Sequence, residues 1–448
     1  MTEPFKSKPY PVPAGQVRRL TQLSGLAAGI AGRAVVGSGQ ALLSGQRPKL
    51  ADLIITPQNA AKITENLAQM RGAAMKVGQL LSMEAGDMLP PELSSVLAHL
   101  RADAHFMPPQ QLKSALTAAW GANFQRKFKR FETRPLAAAS IGQVHRAVTR
   151  DGRDLAIKVQ YPGVRRSIDS DVRNVGMLMR MSGMVPKGMD MGPLLDEART
   201  QLHDEANYTR EGQALERFGA RLKDAPGFLV PKLHADLTTE TVLAMDYVSG
   251  SPIEEVNTLP PAVRDSVADR MIRLMLRELF EFAEMQTDPN FANYRYQADT
   301  DRIVLLDFGA AREFPIKMVH DYRQLLHAGL SGNREAIRAA MDTVGLFGQG
   351  VTPHQEERML DIFGWGMDTL TGTQPHNFGT CDLDDRIRDA VSALAQDRDF
   401  APVPPVDTLF LQRKIGGLYL LAKRLKASVD LQSVLAPYQD HGPAAAAE

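Results

Sequence analysis

The sequence predicts an α+β protein of two lobes, and three observations carry that prediction. Residues 144–160 read as a β-hairpin: Asp151-Gly152 supplies the turn, and Leu155, Ile157 and Val159 alternate onto one face of the second strand. Beyond residue 249 the apolar spacing is helical over 263–285, 316–330, 334–346, 356–370, 384–394 and 406–426. Between these regions Ser249-Gly250-Ser251-Pro252 interrupts a strand read over 241–248, and this is the expected hinge.

Composition bounds the function. With 44% apolar and 23% charged residues over 448 positions, the chain has the make-up of an ordinary globular protein of two or three domains. Lys plus Arg equals Asp plus Glu, at 52 each, so no net field draws nucleic acid, and nucleic-acid binding is not expected. Cys381 is the single cysteine, which excludes an intramolecular disulfide framework and a thiolate zinc cluster and fits a reducing compartment.

Residues 1–50 read as a flexible arm with a Gly/Ala-rich membrane-contact segment. Its first fifteen residues have neither the apolar core of a secretory signal nor a typical transit peptide. The apolar stretch 20–45 is divided by Arg33, so a spanning helix is not expected. An interfacial helix, a small-residue packing face using Gly25 and Gly29, and a Gly-rich connector all stay open. Residues 51–134 read as a helical extension. Thr56-Pro57 starts a helix to about residue 83, and Lys76 and Gln79 share one of its faces. Gly72 and Gly78 weaken that helix by roughly 1 kcal/mol each, which is tolerable where something packs close. A solvated face is the alternative for Lys76 and Gln79. A second helix is expected over 108–121 and a first strand over 128–131.

Residues 135–248 form the expected N-lobe. Ala137, Ala138, Ala139 and Ser140 are small residues between strands, where backbone N–H groups can approach a phosphate. Alanine resists positive φ, so this loop should be stiffer than a glycine-rich one; in isolation it is an Ala-rich turn. Ala156 and Lys158 share a strand face, so a flat ring can pack on one while the other reaches an anionic group; an edge lysine facing water fits the same pattern. Over 191–223 a helical segment is expected to carry Glu205 and Glu211 on one side. A buried Lys158 needs such a carboxylate, although solvated helix charges fit equally. Residues 249–437 make the helical C-lobe, and 438–448 a fraying tail.

The chemistry concentrates in 286–314. Asp288 and Asn293 stand five apart in a loop, and a strand over 302–306 ends in Asp307-Phe308-Gly309. Two acids and an amide at strand ends make a hard oxygen site suited to magnesium carrying a nucleotide phosphate. Each piece alone is a turn or a strand end; in this order and spacing they point to a nucleotide site.

Lys76-Val77-Gly78-Gln79, the run Ala137–His145 and Gln286–Asn290 with Asp307-Phe308-Gly309 together resemble the UbiB family of atypical kinases, the aarF-domain (ADCK) group, and within it the coenzyme Q biosynthesis branch. The resemblance spans roughly residues 60–435. It implies a protein-kinase-like two-lobed fold with an N-terminal KxGQ helical extension and a largely helical C-lobe, and ATP and Mg2+ as ligands. Carried over, Lys158 holds the α/β-phosphates, Glu211 pairs with it, Asp307 and Asn293 bind magnesium, and Asp288 takes the catalytic-acid position. Met245 to Val248 meets adenine, with Ala137–Ser140 and Ala156 around the nucleotide. Lys76 and Gln79 gate the site beside Glu205, but Asn207 stands where the family has Asp, which removes a charge from that network. No Ala-Pro-Glu follows the Asp-Phe-Gly, unlike in conventional protein kinases. The implied function is an ATP-dependent atypical kinase or ATPase supporting ubiquinone biosynthesis at a membrane face. A nucleotide-gated chaperone of lipid or quinone intermediates, without phosphotransfer, is the alternative. Implied partners are a quinone precursor or lipid, a membrane surface, other ubiquinone biosynthesis proteins and a second copy of the chain. The expected location is cytoplasmic, peripheral to a bacterial inner membrane, or the mitochondrial matrix face in a eukaryote.

Overall fold

The computed structural model describes residues 106–139, 141–182, 192–348, 351–372, 374–395 and 404–439. The expected arm, the helix over 56–83 with Lys76 and Gln79, and Ser140 lie outside the described residues. The chain divides into two compact units, one reaching Arg217 and resuming over Pro231–Val248, the other comprising Phe218–Val230 and everything from Ser249.

The first unit is built on an antiparallel sheet. Its strands are β1 (Phe128–Phe131), β2 (Ala137–Ala138), β3 (Gly142–Thr149), β4 (Asp154–Gln160) and β6 (Val242–Asp246), in the order β1-β3-β4-β6 with β2 also on β3. The expected hairpin joins β3 to β4, and Gly152 takes φ +94° in its turn, a conformation closed to most side chains. Register sets Gln143, His145 and Ala147 opposite Val159, Ile157 and Leu155, on the core face. Helices α1 (Pro109–Trp120), α2 (Val164–Ser182) and α3 (Gly192–Glu205) contribute Leu112, Leu116, Ile168 and Leu202 to the same core. Leu155 and Ile157 are completely buried, a burial worth roughly 1.5–3 kcal/mol for each side chain.

The helical segment expected over 191–223 is two helices, not one. α3 stops at Glu205, and α4 (Tyr208–Arg221) starts three residues later. Asn207 causes the break: its side-chain oxygen accepts from the Arg210 N–H at 3.3 Å, as a helix cap does. The Gln160 amide takes the freed Ala206 carbonyl at 2.8 Å, and the Tyr208 N–H donates to the Glu240 carbonyl. Glu205 and Glu211 therefore belong to different helices.

The second unit carries β5 (Phe228–Leu229), β7 (Ser251–Pro252), β8 (Glu284–Gln286), β9 (Tyr294–Gln297), β10 (Arg302–Leu305) and β11 (Ala311–Glu313). These form a sheet ordered β5-β10-β9-β7 and a separate β8–β11 ladder. Around them lie α5 (Pro261–Phe280), α6 (Ile316–Ser331), α7 (Arg334–Thr343), α8 (Pro353–Thr371), α9 (Leu383–Ala395), α10 (Val406–Leu425) and the short α11 (Leu431–Leu435). Two expectations need correction. The helix over 263–285 ends at Phe280, because Ala283 turns the chain at φ +48° and the next three residues pair with β11. β6 ends at Asp246, ahead of the expected breaker Ser249-Gly250-Ser251-Pro252, whose last two residues pair with β9 as a short strand. Tyr438, placed in the fraying tail, is buried and donates from its hydroxyl to Glu281 at 2.7 Å.

Gly142 opens β3 where no side chain fits. A Cβ there would stand 2.4 Å from the Val159 carbonyl oxygen and 2.8 Å from the Tyr208 hydroxyl. The first contact is backbone of the central strand and cannot swing aside. Gly142→Ala is expected to cost roughly 1–3 kcal/mol by overpacking, measured as a lowered urea midpoint; an unchanged midpoint would contradict the close approach.

Candidate nucleotide site

In the first unit, β4 delivers Lys158 and the first turn of α4 delivers Glu211. The Lys158 ammonium donates to both Glu211 oxygens, at 2.7 and 3.0 Å. Both side chains are buried, at 9% and 2% exposure, and the ammonium sits 5.1 Å over the Tyr208 ring. The expected pair is formed, although by a helix that begins at Tyr208. Removing one partner would take this buried two-point contact from the other charge, at a cost of about 3–5 kcal/mol.

Sheet register assembles the face around Lys158. Ala137, Val144, Lys158 and Leu243 lie in one cross-strand row, and Arg146, Ala156 and Met245 in the next row on that face. Ala156 and Met245, both expected against adenine, are thus direct neighbours, while Val248 follows the end of β6. Ala137, Ala138 and Ala139 are half-buried, and none is at positive φ. Val144 was missed by sequence reasoning; pairing with Ala137 and Lys158 marks it, and only register reveals that. Glu205 is buried at the end of α3, and Asn207 caps α4.

Gln143 and His145, part of the motif that carries the resemblance, face the core instead. The Glu132 carbonyl can only accept, so the His145 Nδ1–H donates to it at 2.7 Å. The neutral ring's Nε2 then accepts from the Gln143 amide at 2.7 Å, and the Gln143 oxygen accepts from the Met107 N–H at 2.8 Å. Burial pushes the His145 pKa down to about 4, against a smaller opposing effect of its bond to Glu132.

In the second unit, β8 ends at Gln286, and Thr287 is held by its hydroxyl and N–H donating to the Ala310 carbonyl, at 2.9 and 3.2 Å. Asp288 follows, with 17% of its side chain exposed. The Asn290 side-chain oxygen accepts from the Ala292 N–H and starts the 3-10 turn Phe291–Asn293. That turn points Asn293 back, so its amide donates to Asp288 at 3.4 Å, a long bond. The Leu306 N–H donates to the Asn293 carbonyl at 2.9 Å, which brings Asp307 beside the loop. Asp307 accepts from the Gly309 N–H at 2.9 Å, and Phe308 is buried with its ring centroid 4.7 Å from that of Phe218. Arg413, unforeseen from sequence, donates to Asp288 at 3.2 Å. Asp288, Asn293 and Asp307 offer only hard oxygen donors. Among the described residues no group of three His, Cys, Asp or Glu side chains could hold a metal. Two carboxylates and an amide fit magnesium, which keeps phosphate and water among its ligands, better than a fully protein-caged ion.

The buried His145 makes a pH prediction. Its pKa is about 4 in the folded chain against 6.5 when unfolded, so the unfolded chain binds the proton first as pH falls. Stability is therefore full above pH 6.5 and is lost progressively toward pH 4. His145→Asn, which keeps a donor for Glu132 but cannot titrate, should show a shallower loss over that interval in urea titrations; equal slopes would contradict it.

The chain is similar to known proteins. Residues 99–341 match the ABC1 atypical kinase-like domain. The chain is 36% identical over 421 residues to the mitochondrial atypical kinase COQ8 of Saccharomyces cerevisiae, covering 93% of this chain and 83% of that protein. It is 33% identical over 427 residues to the mitochondrial atypical kinase COQ8B of Danio rerio, covering 94% of this chain and 68% of that protein. A solved structure, the Rv3197–erythromycin complex from Mycobacterium tuberculosis, shares the fold at a TM-score of 0.59 and 23% identity, over 84% of this chain and 95% of that one. The chain belongs to the UbiB family of ABC1 atypical kinase-like proteins, in its coenzyme Q biosynthesis branch, and has the family's protein-kinase-like fold.

Proposed function

We propose that the chain binds Mg-ATP and turns it over, as an ATPase or small-molecule kinase acting in ubiquinone biosynthesis at a membrane face. The observation that carries this reading is the loop Asp288–Asn293, in which both polar side chains are held together and tied to the strand that leads into Asp307. A chain using nucleotide only as a conformational ligand has no need to keep all three.

Lys158 takes the α/β-phosphates, and Glu211 holds the ammonium in place for them. Ala137, Ala138, Ala139, Ser140, Val144, Ala156, Met245 and Val248 surround the base and its phosphates. Asp307 and Asn293 hold magnesium, which when bound neutralises phosphate charge. Asp288 accepts the proton of the attacking hydroxyl or orients an attacking water. Lys76, Gln79, Glu205 and Asn207 gate access. The acceptor is a phenolic quinone precursor or a lipid, and other ubiquinone biosynthesis proteins and a second copy are candidate partners. Among the described residues no helix is long and apolar enough to cross a membrane. The relatives named above are mitochondrial; for this chain we infer peripheral contact with a bacterial inner membrane or its mitochondrial counterpart.

The second reading, a nucleotide-gated chaperone for quinone intermediates, draws on the alanines of β2. They hold negative φ and leave the phosphate-side strand less adaptable than a glycine loop.

Magnesium-dependent phosphate release, measured with and without anionic liposomes or a phenolic quinone-head analogue, separates the two. Turnover is expected in the wild type and should disappear in Asp307→Asn; equal rates in both would sink the enzyme reading in favour of the chaperone. Losing one charged hydrogen-bonding contact, Lys158→Ala should weaken ATP binding about 10- to 100-fold. Because that variant takes the ammonium away from the buried Glu211, Lys158→Met/Glu211→Gln should weaken binding similarly with better folding; unchanged affinity in both would remove Lys158 from the phosphate site.

A further inference from the structure

The loop that carries Asp288 and Asn293 is irregular backbone between β8 and β9, and one side of α10 is fitted to it. Three α10 residues meet this stretch, and the third, at i+4 from the first and i+3 from the second, is the helical neighbour of both. Arg413 donates to Asp288 at 3.2 Å. Lys414 donates to the Gln286 carbonyl at 2.8 Å and to the Tyr294 hydroxyl at 3.0 Å. Gly417 has no room for a side chain: a Cβ there would lie 2.1 Å from the Cβ of Pro289, the residue after Asp288.

Lys414 is the unusual member. Its side chain is 2% exposed, as is that of Glu278, whose carboxylate lies 3.6 Å from the ammonium. A lysine is rarely buried this deeply without cause, because desolvating the charge costs several kcal/mol. The cause lies in its partners. Gln286 stands two residues before Asp288, and Tyr294 directly follows Asn293. An ammonium has three donors, and two of them close the loop at its two ends. A methionine of similar length would fill the volume and leave both ends untied.

We propose that α10 is the brace of the catalytic loop, and that Lys414 is a positioning residue that sets Asp288 and Asn293 by joining the two strand residues that flank the loop, Gln286 and Tyr294. This rests on the reading of Asp288 and Asn293 given above. Electrostatics agree with the geometry. Burial opposes the Lys414 charge, but Glu278 and Tyr294 outweigh it and hold its pKa above the usual lysine value. The same burial pushes Glu278 up to about 7.

The test uses the full chain with ATP and magnesium. Lys414→Met alone would leave Glu278 without its cation, so the variant is Lys414→Met/Glu278→Gln, in which both buried charges are removed together. With the loop's ends untied, kcat should fall about a hundredfold, the scale of loss that a misplacement near 1 Å produces. Nucleotide affinity measured with magnesium omitted should stay within about twofold, since Lys158 and Glu211 are untouched. Wild-type kcat in a cooperatively melting double variant would overturn the proposal. So would an equal loss of affinity and kcat, which marks a merely structural role. If the double variant does not fold, Gly417→Ala decides, because it pushes the same loop through Pro289: lowered kcat at retained affinity supports the brace, and unchanged kcat overturns it. Asp288→Asn is the separate control. Wild-type turnover there removes the catalytic reading itself, whereas lost turnover there with normal turnover in the α10 variants removes only this inference.

Discussion

The buried ion pair between Lys158 and Glu211 is the constraint on which the first unit depends. Neither charge is tolerable alone at 9% and 2% exposure, so the two elements that carry them must meet in one geometry. That requirement ties the register of β4 to the starting point of α4. The chain meets it by breaking its helix at Asn207, so that Glu211 falls in the first turn of α4 and reaches the strand. The break frees backbone groups, and Gln160, two residues along the same strand, takes up the Ala206 carbonyl. One strand thus supplies both the cation and the donor that repairs the helix break made to reach it.

The second unit solves a related problem with different means. Its polar loop has no sheet ladder of its own between β8 and β9, so side chains supplement the few backbone bonds that shape it. Asn290 gives a local bond, Thr287 reaches across to the Ala310 carbonyl, and α10 adds Arg413, Lys414 and the glycine that lets Pro289 close in. Buried polar groups of this kind contribute less to net stability than apolar packing of equal volume would. They fix one arrangement among many, because each unmade bond would leave a buried atom without a partner.

Legibility followed the range of the interactions. The hairpin with Asp151-Gly152 was readable because turn chemistry and strand alternation are local. So was the Asp288 to Asp307 stretch, whose spacing carries its meaning. The helix expected over 263–285 failed because Phe280, Phe282 and Met285 continue an apolar pattern that a helix or a strand can use. What ended the helix was a ladder with residues 311–313, remote in sequence. Gln143 and His145 belonged to a recognisable motif, yet their work is to bridge Met107 and Glu132 within the core, which no local pattern encodes.

By itself the sequence determined the α+β class, the hairpin, most of the helices and the family, because periodicity, turn residues and motif order are properties of neighbouring positions. Only the tertiary structure decided from which helix Glu211 met Lys158, that Val144 shares its row, and that α10 presents Arg413, Lys414 and Gly417 to the loop around Asp288. Those outcomes depend on register and on helices packed 53 to 128 residues away, where the cost of leaving a buried charge or amide unpaired selects the partner.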